Sequence, residues 1–365
     1  VPKLKIRDIH LGVLSAPLKK PFKTALRTVL EVTTNVVVVE TDEGVCGYGE
    51  APPTAVITGD TNGAIRGAVE ERLRPLLKGR DLEDLNGTLD VVDGALVHNT
   101  SAKAAVDIAL HDLWGKSLGR PLYSLLGGAS REIRTDYTIS VNPTEVMVKD
   151  SLEAVAEGYE ALKIKVGTDF ALDMERLSEI RRAVGGEILL RVDANQGWTA
   201  KEAIRTIRFL EDEGLGIELV EQPVKAHDYD GLKLVTDSVD TLVLADEAVF
   251  SPRDALVLLS MRAADLINIK LMKTGGIRNA LAICAMARAS GVECMIGAMM
   301  ETKISVTAAC HLASAIPVIT RADLDPPILC STDPVRGGAI YNGSTITLSD
   351  GPGLGIEGID GLVLQ

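Results

Sequence analysis

Through the middle of the chain, lysines and acids recur at the ends of short apolar runs. Lys163-Ile164-Lys165, Asp193-Ala194-Asn195, Asn268-Ile269-Lys270 and Asp323-Leu324-Asp325 are polar-apolar-polar triplets, and two further runs end in Glu221-Gln222-Pro223 and Asp246-Glu247. Side chains two apart on a strand share a face, so each triplet aims two polar groups one way. From Lys165 to Asp193 is 28 positions, from Asp193 to Glu221 28, from Glu221 to Asp246 25, and from Asp246 to Lys270 24. A βα unit of a barrel takes about 31 residues, so these side chains belong at one end of successive strands. One Asp after a strand is commonly a helix N-cap. Capping does not explain five strands in succession.

Asp193, Glu221 and Asp246 converging in a narrow mouth repel and raise one another's pKa. A divalent cation relieves this. An all-oxygen donor set without His or Cys favours Mg²⁺ over zinc, one ion per subunit. Lys165 precedes the three acids and Lys270 follows them, so the two lysines fall on opposite sides of the metal. A substrate carboxylate held by the cation becomes an electron sink, and its α-proton can leave. One lysine removes that proton and the other returns it to the opposite face, which inverts the carbon. A lysine base works best with its pKa lowered toward ~7–8. Lys163 and the cation are the expected source of that lowering.

These side chains require a scaffold of parallel strands. Apolar runs at 135–141, 161–166, 188–192, 217–220, 241–245, 266–271, 293–296 and 318–323 alternate with helical stretches such as 171–183 and 200–213. Eight βα repeats predict an α/β fold with a closed barrel, its active site at the C-terminal mouth. Residues 4–14 and 32–49 read as antiparallel strands, and 63–78 and 101–118 as helices. The expected organisation is an α+β capping domain over 1–128, a catalytic barrel over 129–326, and a Gly- and Pro-rich tail over about 327–365 that packs back on the first domain.

A formal net charge of −13 argues against nucleic acid as a partner. Five cysteines without a CxxC pair suit a reducing cytoplasm rather than a disulfide scaffold. No apolar run is long enough for a membrane span, and Val1-Pro2-Lys3-Leu4 is not a signal peptide. Gly353-Leu354-Gly355-Ile356-Glu357-Gly358 spells GxGxxG but lacks a βαβ unit. The five histidines are unpaired in sequence and none ends a strand. A Lys/His base pair is therefore disfavoured.

The motifs KIK, DANQGW, EQP, ADE and NIKLMKTGG resemble the enolase superfamily, muconate-lactonizing subgroup, over essentially the whole chain. Within it the chain resembles the dipeptide epimerases, those of the L-Ala-D/L-Glu type above all. Two features carry that narrower likeness, the Asp323/Asp325 pair and the loop Pro21-Phe22-Lys23-Thr24-Ala25-Leu26-Arg27-Thr28. The resemblance implies a (β/α)₇β barrel, Asp193, Glu221 and Asp246 as Mg²⁺ ligands, and Lys165 and Lys270 as bases. It assigns Lys163 to the substrate carboxylate, Asp323 and Asp325 to the dipeptide's ammonium, and Arg27 to the glutamate side chain. Guanidinium grips carboxylate bidentately. Thr138 matches a substrate-contacting position, and Ala298 and Met300 stand where substrate-side residues vary among relatives. Loops at 17–28 and 52–60 are expected to act as lids. The partner is a small dipeptide, in murein-peptide recycling, and the enzyme is expected to be a homo-oligomer. An o-succinylbenzoate synthase-like lyase or cycloisomerase is the alternative, and a non-catalytic metal- or peptide-binding module a third.

Overall fold

A computed structural model describes residues 4–24, 26–167 and 169–364. Val1, Pro2 and Lys3 of the N-terminal segment, and Ala25 of the loop octapeptide, lie outside the described residues. The chain opens with β1 (Ile6–Lys23), β2 (Thr28–Thr41) and β3 (Cys46–Ala51), paired antiparallel. β2 carries the run Val36-Val37-Val38-Val39, buried on both faces. Val37 and Val39 pack with the N-terminal helices, while Val36 and Val38 join the core that continues into the barrel. Strand periodicity thus divides one valine run between two cores. The helix Thr100–Leu118 lies directly on β3. This contact needs Gly47 and Gly49, because a Cβ there would come within 2.2 Å of Ala109 O and 1.8 Å of Ala105 O.

β1 and β2 extend well beyond the strands expected from sequence. Past a register shift between Pro17 and Phe22 they form a hairpin whose tip carries Arg27. The helix expected at 63–78 runs from Asn62 to Leu77 and includes a π-helical segment, Ala68–Leu73.

After β4 (Glu132–Arg134) come eight parallel strands. They are β5 (Tyr137–Ile139), β6 (Ala161–Lys165), β7 (Leu189–Asp193), β8 (Ile217–Glu221), β9 (Leu242–Ala245), β10 (Leu266–Lys270), β11 (Glu293–Gly297) and β12 (Ile319–Asp323), hydrogen-bonded in sequence order. Asp136 N donates to Ala322 O at 3.1 Å, which draws the two ends of the sheet together into a nearly closed barrel. Helices of eight residues or more follow β5 to β11, whereas β12 is followed by only Pro326–Leu329. The barrel is therefore of the (β/α)₇β kind. Register aligns Lys165 with Asp193, Asp193 with Glu221, Lys270 with Gly297, and Gly297 with Asp323. One layer at the C-terminal mouth thus gathers the polar strand ends.

The barrel interior below that layer is not uniform. Leu219, Leu244, Leu266 and Met295 fill one side with hydrocarbon. The other side holds an ion chain. Arg191 bonds Asp136 at 2.8 Å and Glu218 at 2.7 Å, and Arg321 bonds Glu218 at 2.6 Å.

The tail forms β13 (Val335–Gly337), β14 (Ile340–Asn342), β15 (Thr345–Thr347), β16 (Ile356–Ile359) and β17 (Val363–Leu364). β17 adds to β1, and β15 joins β4 to β14. Among the described residues no helix is long and apolar enough to cross a membrane. All five cysteines are free thiols.

Candidate active site

A pocket opens over the C-terminal strand ends, between the barrel and the β1–β2 hairpin. Lys163, Lys165, Lys270, Asp323 and Asp325 form its floor, and Arg27, Phe22 and Leu26 reach it from the hairpin. Ile57 of the expected second lid, Thr138 and Met300 also line it. Lys165 and Lys270 project from β6 and β10, four strands apart in an eight-stranded barrel, and so face each other across the mouth.

The buried carboxylates are held by ammonium groups. Lys165 Nζ lies 2.5 Å from Asp193 Oδ2, and Lys270 Nζ 2.6 Å from Asp246 Oδ2. Lys163 Nζ lies 2.6 Å from Asp323 Oδ2, 2.8 Å from Glu221 Oε2 and 3.4 Å from Asp193 Oδ2. Lys273, from the turn after β10, reaches Asp246 Oδ1 at 2.6 Å. Asn268 Nδ2 donates to Glu221 Oε1 at 2.7 Å, which orients that side chain. Asn195, Gln196 and Gln222 adopt left-handed φ values of 43°, 66° and 37°. Backbone strain of this kind persists where the surroundings enforce it, commonly at functional sites.

The protein's own charges and burial act on these lysines in opposite directions. Burial pulls Lys270 down, but Asp246 and Glu221 outweigh it and the net direction is up. Lys163 moves the same way, raised by Asp323, Glu221 and Asp193 against its burial. The protein's own groups therefore do not depress Lys270, and Lys163 is a minor opposing influence upon it. Burial pushes Asp193 and Asp246 up, yet the neighbouring lysines hold both below the usual carboxylate range. Glu221 is raised by burial and by Asp193, and Glu247 is pushed up to about 7 by burial and Asp246.

The two acids at the C-terminal end of β12, Asp323 and Asp325, differ in their partners. Asp323 is tied to Lys163, which holds it at about 2 against its burial. Asp325 accepts a hydrogen bond from Thr138 N at 2.7 Å, and burial with the Asp323 charge pushes it up to about 7. Asp325 is thus the member that forms no ion pair among the described residues. Thr138 Oγ1 lies 3.4 Å from Asp323 Oδ1, so Thr138 braces both acids. No side chain among the described residues pairs with the half-buried guanidinium of Arg27.

Whether these residues suit a divalent cation follows from their donors and charge. Asp193, Glu221 and Asp246 offer oxygen alone. Six buried carboxylates (Asp193, Glu221, Asp246, Glu247, Asp323, Asp325) meet four buried lysines (Lys163, Lys165, Lys270, Lys273). Fully ionised, the set carries two excess negative charges, which one divalent cation balances. Asn195 Oδ1 and Glu247 Oε2 are buried and accept no hydrogen bond among the described residues. As placed, no three His, Cys, Asp or Glu side chains among the described residues are grouped closely enough to hold an ion. The ammonium groups instead occupy the oxygens that ligation would use. The donor chemistry and the charge fit Mg²⁺.

Residues 8–127 match the mandelate racemase / muconate lactonizing enzyme N-terminal domain, and residues 147–360 the enolase C-terminal domain-like family. The chain belongs to the mandelate racemase / muconate lactonizing enzyme family of the enolase superfamily. It is 58% identical to the L-Ala-D/L-Glu epimerase of Clostridium acetobutylicum over 97% of this chain and 99% of that protein. The substrate-liganded structure of the L-Ala-D/L-Glu epimerase from Bacillus subtilis superposes with a TM-score of 0.96 at 51% identity, covering 97% of this chain and 99% of that one. A dipeptide epimerase from Enterococcus faecalis, complexed with Mg and L-Leu-L-Tyr, gives 0.93 at 43% identity, covering 96% and 99%.

Within this family member, the structure adds residues that the spacing argument passed over. Lys273 stands in the NIKLMKTGG motif but ends no strand, so strand-end spacing does not mark it. Gly297 leaves the space that Lys270 uses, for a Cβ there would lie 2.9 Å from Lys270 Cε. Glu50 and Glu301 meet behind the pocket wall. The first lies on β3, far from any barrel motif.

Proposed function

We propose that this chain is a Mg²⁺-dependent dipeptide epimerase that transfers a proton at the α-carbon of the C-terminal residue, with L-Ala-D/L-Glu as its substrate. One observation carries the reading: two lysines from opposed strands line the same pocket as Asp325 and Arg27, whose guanidinium pairs with no side chain among the described residues. The names of two relatives, 58% and 51% identical to this chain, agree with it.

In this reading Asp193, Glu221 and Asp246 hold the cation. When bound, it polarises the substrate carboxylate and stabilises the negative charge that develops as the α-proton leaves. Lys163 sits beside that carboxylate. Lys165 and Lys270, on the two faces of the α-carbon, take and return the proton. Asp325, with Asp323 behind it, binds the α-ammonium and fixes which end of the dipeptide enters. Arg27 pairs with the glutamate side chain and closes the hairpin over the site, which excludes water. Thr138 supports the acidic pair, and Met300 forms part of the wall. Residues 1–128 with the tail 327–365 act as the cap, and 129–326 as the catalytic unit. The free thiols suit a cytoplasmic enzyme of murein-peptide recycling, which we take to act as a homo-oligomer.

A lyase or cycloisomerase on the same scaffold would have no use for Asp325, a buried acid without a cation. The test is incubation with L-Ala-D-Glu and Mg²⁺ in D₂O. Epimerisation with α-deuterium incorporation is expected, and the absence of both removes the proposal. Lys270→Ala is expected to abolish inversion while exchange of one epimer through Lys165 persists.

A further inference from the structure

The wall formed by residues 298–300 is fastened from behind by two buried glutamates that the chemistry above does not use. Glu50, on β3, is fully buried. Its Oε1 accepts from Thr302 N at 2.7 Å. Its Oε2 faces Thr302 Oγ1 at 2.9 Å, Ser305 N at 3.1 Å and Ser305 Oγ at 3.0 Å. Glu301 turns inward beside it. Its Oε1 accepts from Met299 N at 2.6 Å, and its Oε2 contacts the same Ser305 Oγ.

A hydroxyl carries one proton. Ser305 Oγ stands between two carboxylate oxygens, so with both glutamates ionised one of its two contacts has no hydrogen in it. Two buried anions would then face each other without a counter-charge between them, which is costly. One glutamate must carry the missing proton. Glu50 already faces four donors and is the ionised member. Glu301 is the protonated one: its Oε2–H donates to Ser305 Oγ, and Ser305 Oγ–H donates to Glu50 Oε2. Burial raises both acids, but the donors of Thr302 and Ser305 oppose the rise at Glu50, while burial and the Glu50 charge push Glu301 up to about 7. Among the described residues the charged groups that act most strongly on Glu301 are Glu50 from β3 and Lys270 from β10, the latter opposing the rise.

Met300, next in the chain, packs with Ala16, Val32 and Cys330 and against Leu18 and Phe22 of the hairpin. The wall is thus the seat of the hairpin that carries Arg27.

We propose that Glu301 is a positioning residue for the epimerase reaction: protonated, it completes a Glu301–Ser305–Glu50 relay that fixes the 298–300 wall to the N-terminal sheet and so seats the Arg27 hairpin. The substrate effect rests on the dipeptide reading; the shared proton does not. Above about 7 Glu301 releases its proton to solvent, the relay loses a hydrogen, and the wall loosens. The binding of a glutamate-bearing dipeptide weakens more than turnover does, because Arg27 acts in binding.

The test compares wild type, Glu301→Gln and Glu301→Ala. Gln keeps an acceptor for Met299 N and a donor for Ser305, and it cannot ionise. Glu301→Ala is expected to raise KM for L-Ala-D-Glu about tenfold, with a smaller change in kcat. Glu301→Gln is expected to restore KM to within about threefold and to lack the part of the alkaline rise in KM that Glu301 contributes to wild type. The infrared difference between wild type and Glu301→Gln is expected to contain a carboxylic-acid carbonyl band below about pH 7 that fades above it. An absent band overturns the proposal, as does Glu301→Gln impaired as badly as Glu301→Ala, or Glu301→Ala with wild-type KM. Should Glu301→Ala not fold, the band and the Gln profile decide. Should wild type not turn over L-Ala-D-Glu, the dipeptide reading fails while the band still reports the proton.

Discussion

Replacing Asp325 by Asn exchanges one oxygen for an amide and removes one negative charge from the barrel mouth. In the wild type this side chain is 2% exposed, and it is pushed from 3.8 up to about 7 by burial and by Asp323. The folded chain therefore holds a proton that the unfolded chain releases between 3.8 and about 7. Stability contributed by the protonated form is present below that window and is lost as pH rises through it. The displacement corresponds to a ceiling on the order of 4 kcal/mol above neutrality. Asn cannot ionise, and its carbonyl oxygen still accepts from Thr138 N. Asp325→Asn is thus expected to match wild type in acid and to exceed it above about pH 7, by up to that ceiling.

Catalysis is expected to move the opposite way. Losing one partner of a buried charge pair costs about 2–4 kcal/mol, so kcat/KM for L-Ala-D-Glu should fall roughly 30- to 1,000-fold. Urea unfolding across a pH series reads the first effect, and initial rates read the second. A variant less stable than wild type at every pH would refute the electrostatic account of Asp325. A loss of kcat/KM under about threefold would refute its role toward the ammonium and favour a substrate without an amine.

Arg27→Met should raise KM for L-Ala-D-Glu by about 10- to 100-fold while barely changing that for L-Ala-L-Ala, since it removes a cation and keeps a linear apolar stem; equal effects on both substrates would contradict the assignment. Gly297→Ala should press on Lys270 Cε, 2.9 Å from the new Cβ, and on Asn268 Oδ1 at 2.8 Å. Inversion is expected to drop about 100-fold, with exchange through Lys165 largely kept and stability reduced by about 1–3 kcal/mol; wild-type inversion would show that Lys270 does not need that space. Chelation by EDTA should abolish activity, and added Mg²⁺ should restore it and raise Tm with concentration; activity retained after exhaustive chelation would exclude the metal-assisted reading.

The barrel was legible because its signal is local. Each strand is a short apolar run, and a polar group at its end marks the mouth, so the eight runs alone gave the strand positions to within about two residues. The long hairpin was not legible. Pro17 and Pro21 interrupt the strand pattern, and only pairing with β2 across the register shift makes β1 continuous as far as Lys23. The inequality of Asp323 and Asp325 was also hidden. It depends on Lys163, 160 positions from Asp323 in the chain, which commits one acid and leaves the other. Lys270 illustrates the same limit: its strand end could be read from spacing, but whether its neighbours raise or lower it depends on which carboxylate oxygens fold against it. The Glu50 contact with Thr302 spans 252 positions and carries no motif at either end.

Charge balance links the cap to the choice of substrate. Fully ionised, the six carboxylates and four lysines of the mouth leave two negative charges, which a divalent cation would cancel. L-Ala-D-Glu brings one ammonium and two carboxylates, a net charge of minus one, and Arg27 from the hairpin brings plus one. In the dipeptide reading Arg27 offsets the extra carboxylate that an acidic second residue brings. A dipeptide with an apolar second side chain leaves the Arg27 guanidinium facing the pocket without a partner, and burial already pulls that group down. Desolvating an unpaired cation is unfavourable, so the hairpin closes less readily on such a substrate. On the proposed function, selectivity for glutamate would reside largely in the Arg27 hairpin, and proton transfer in the barrel.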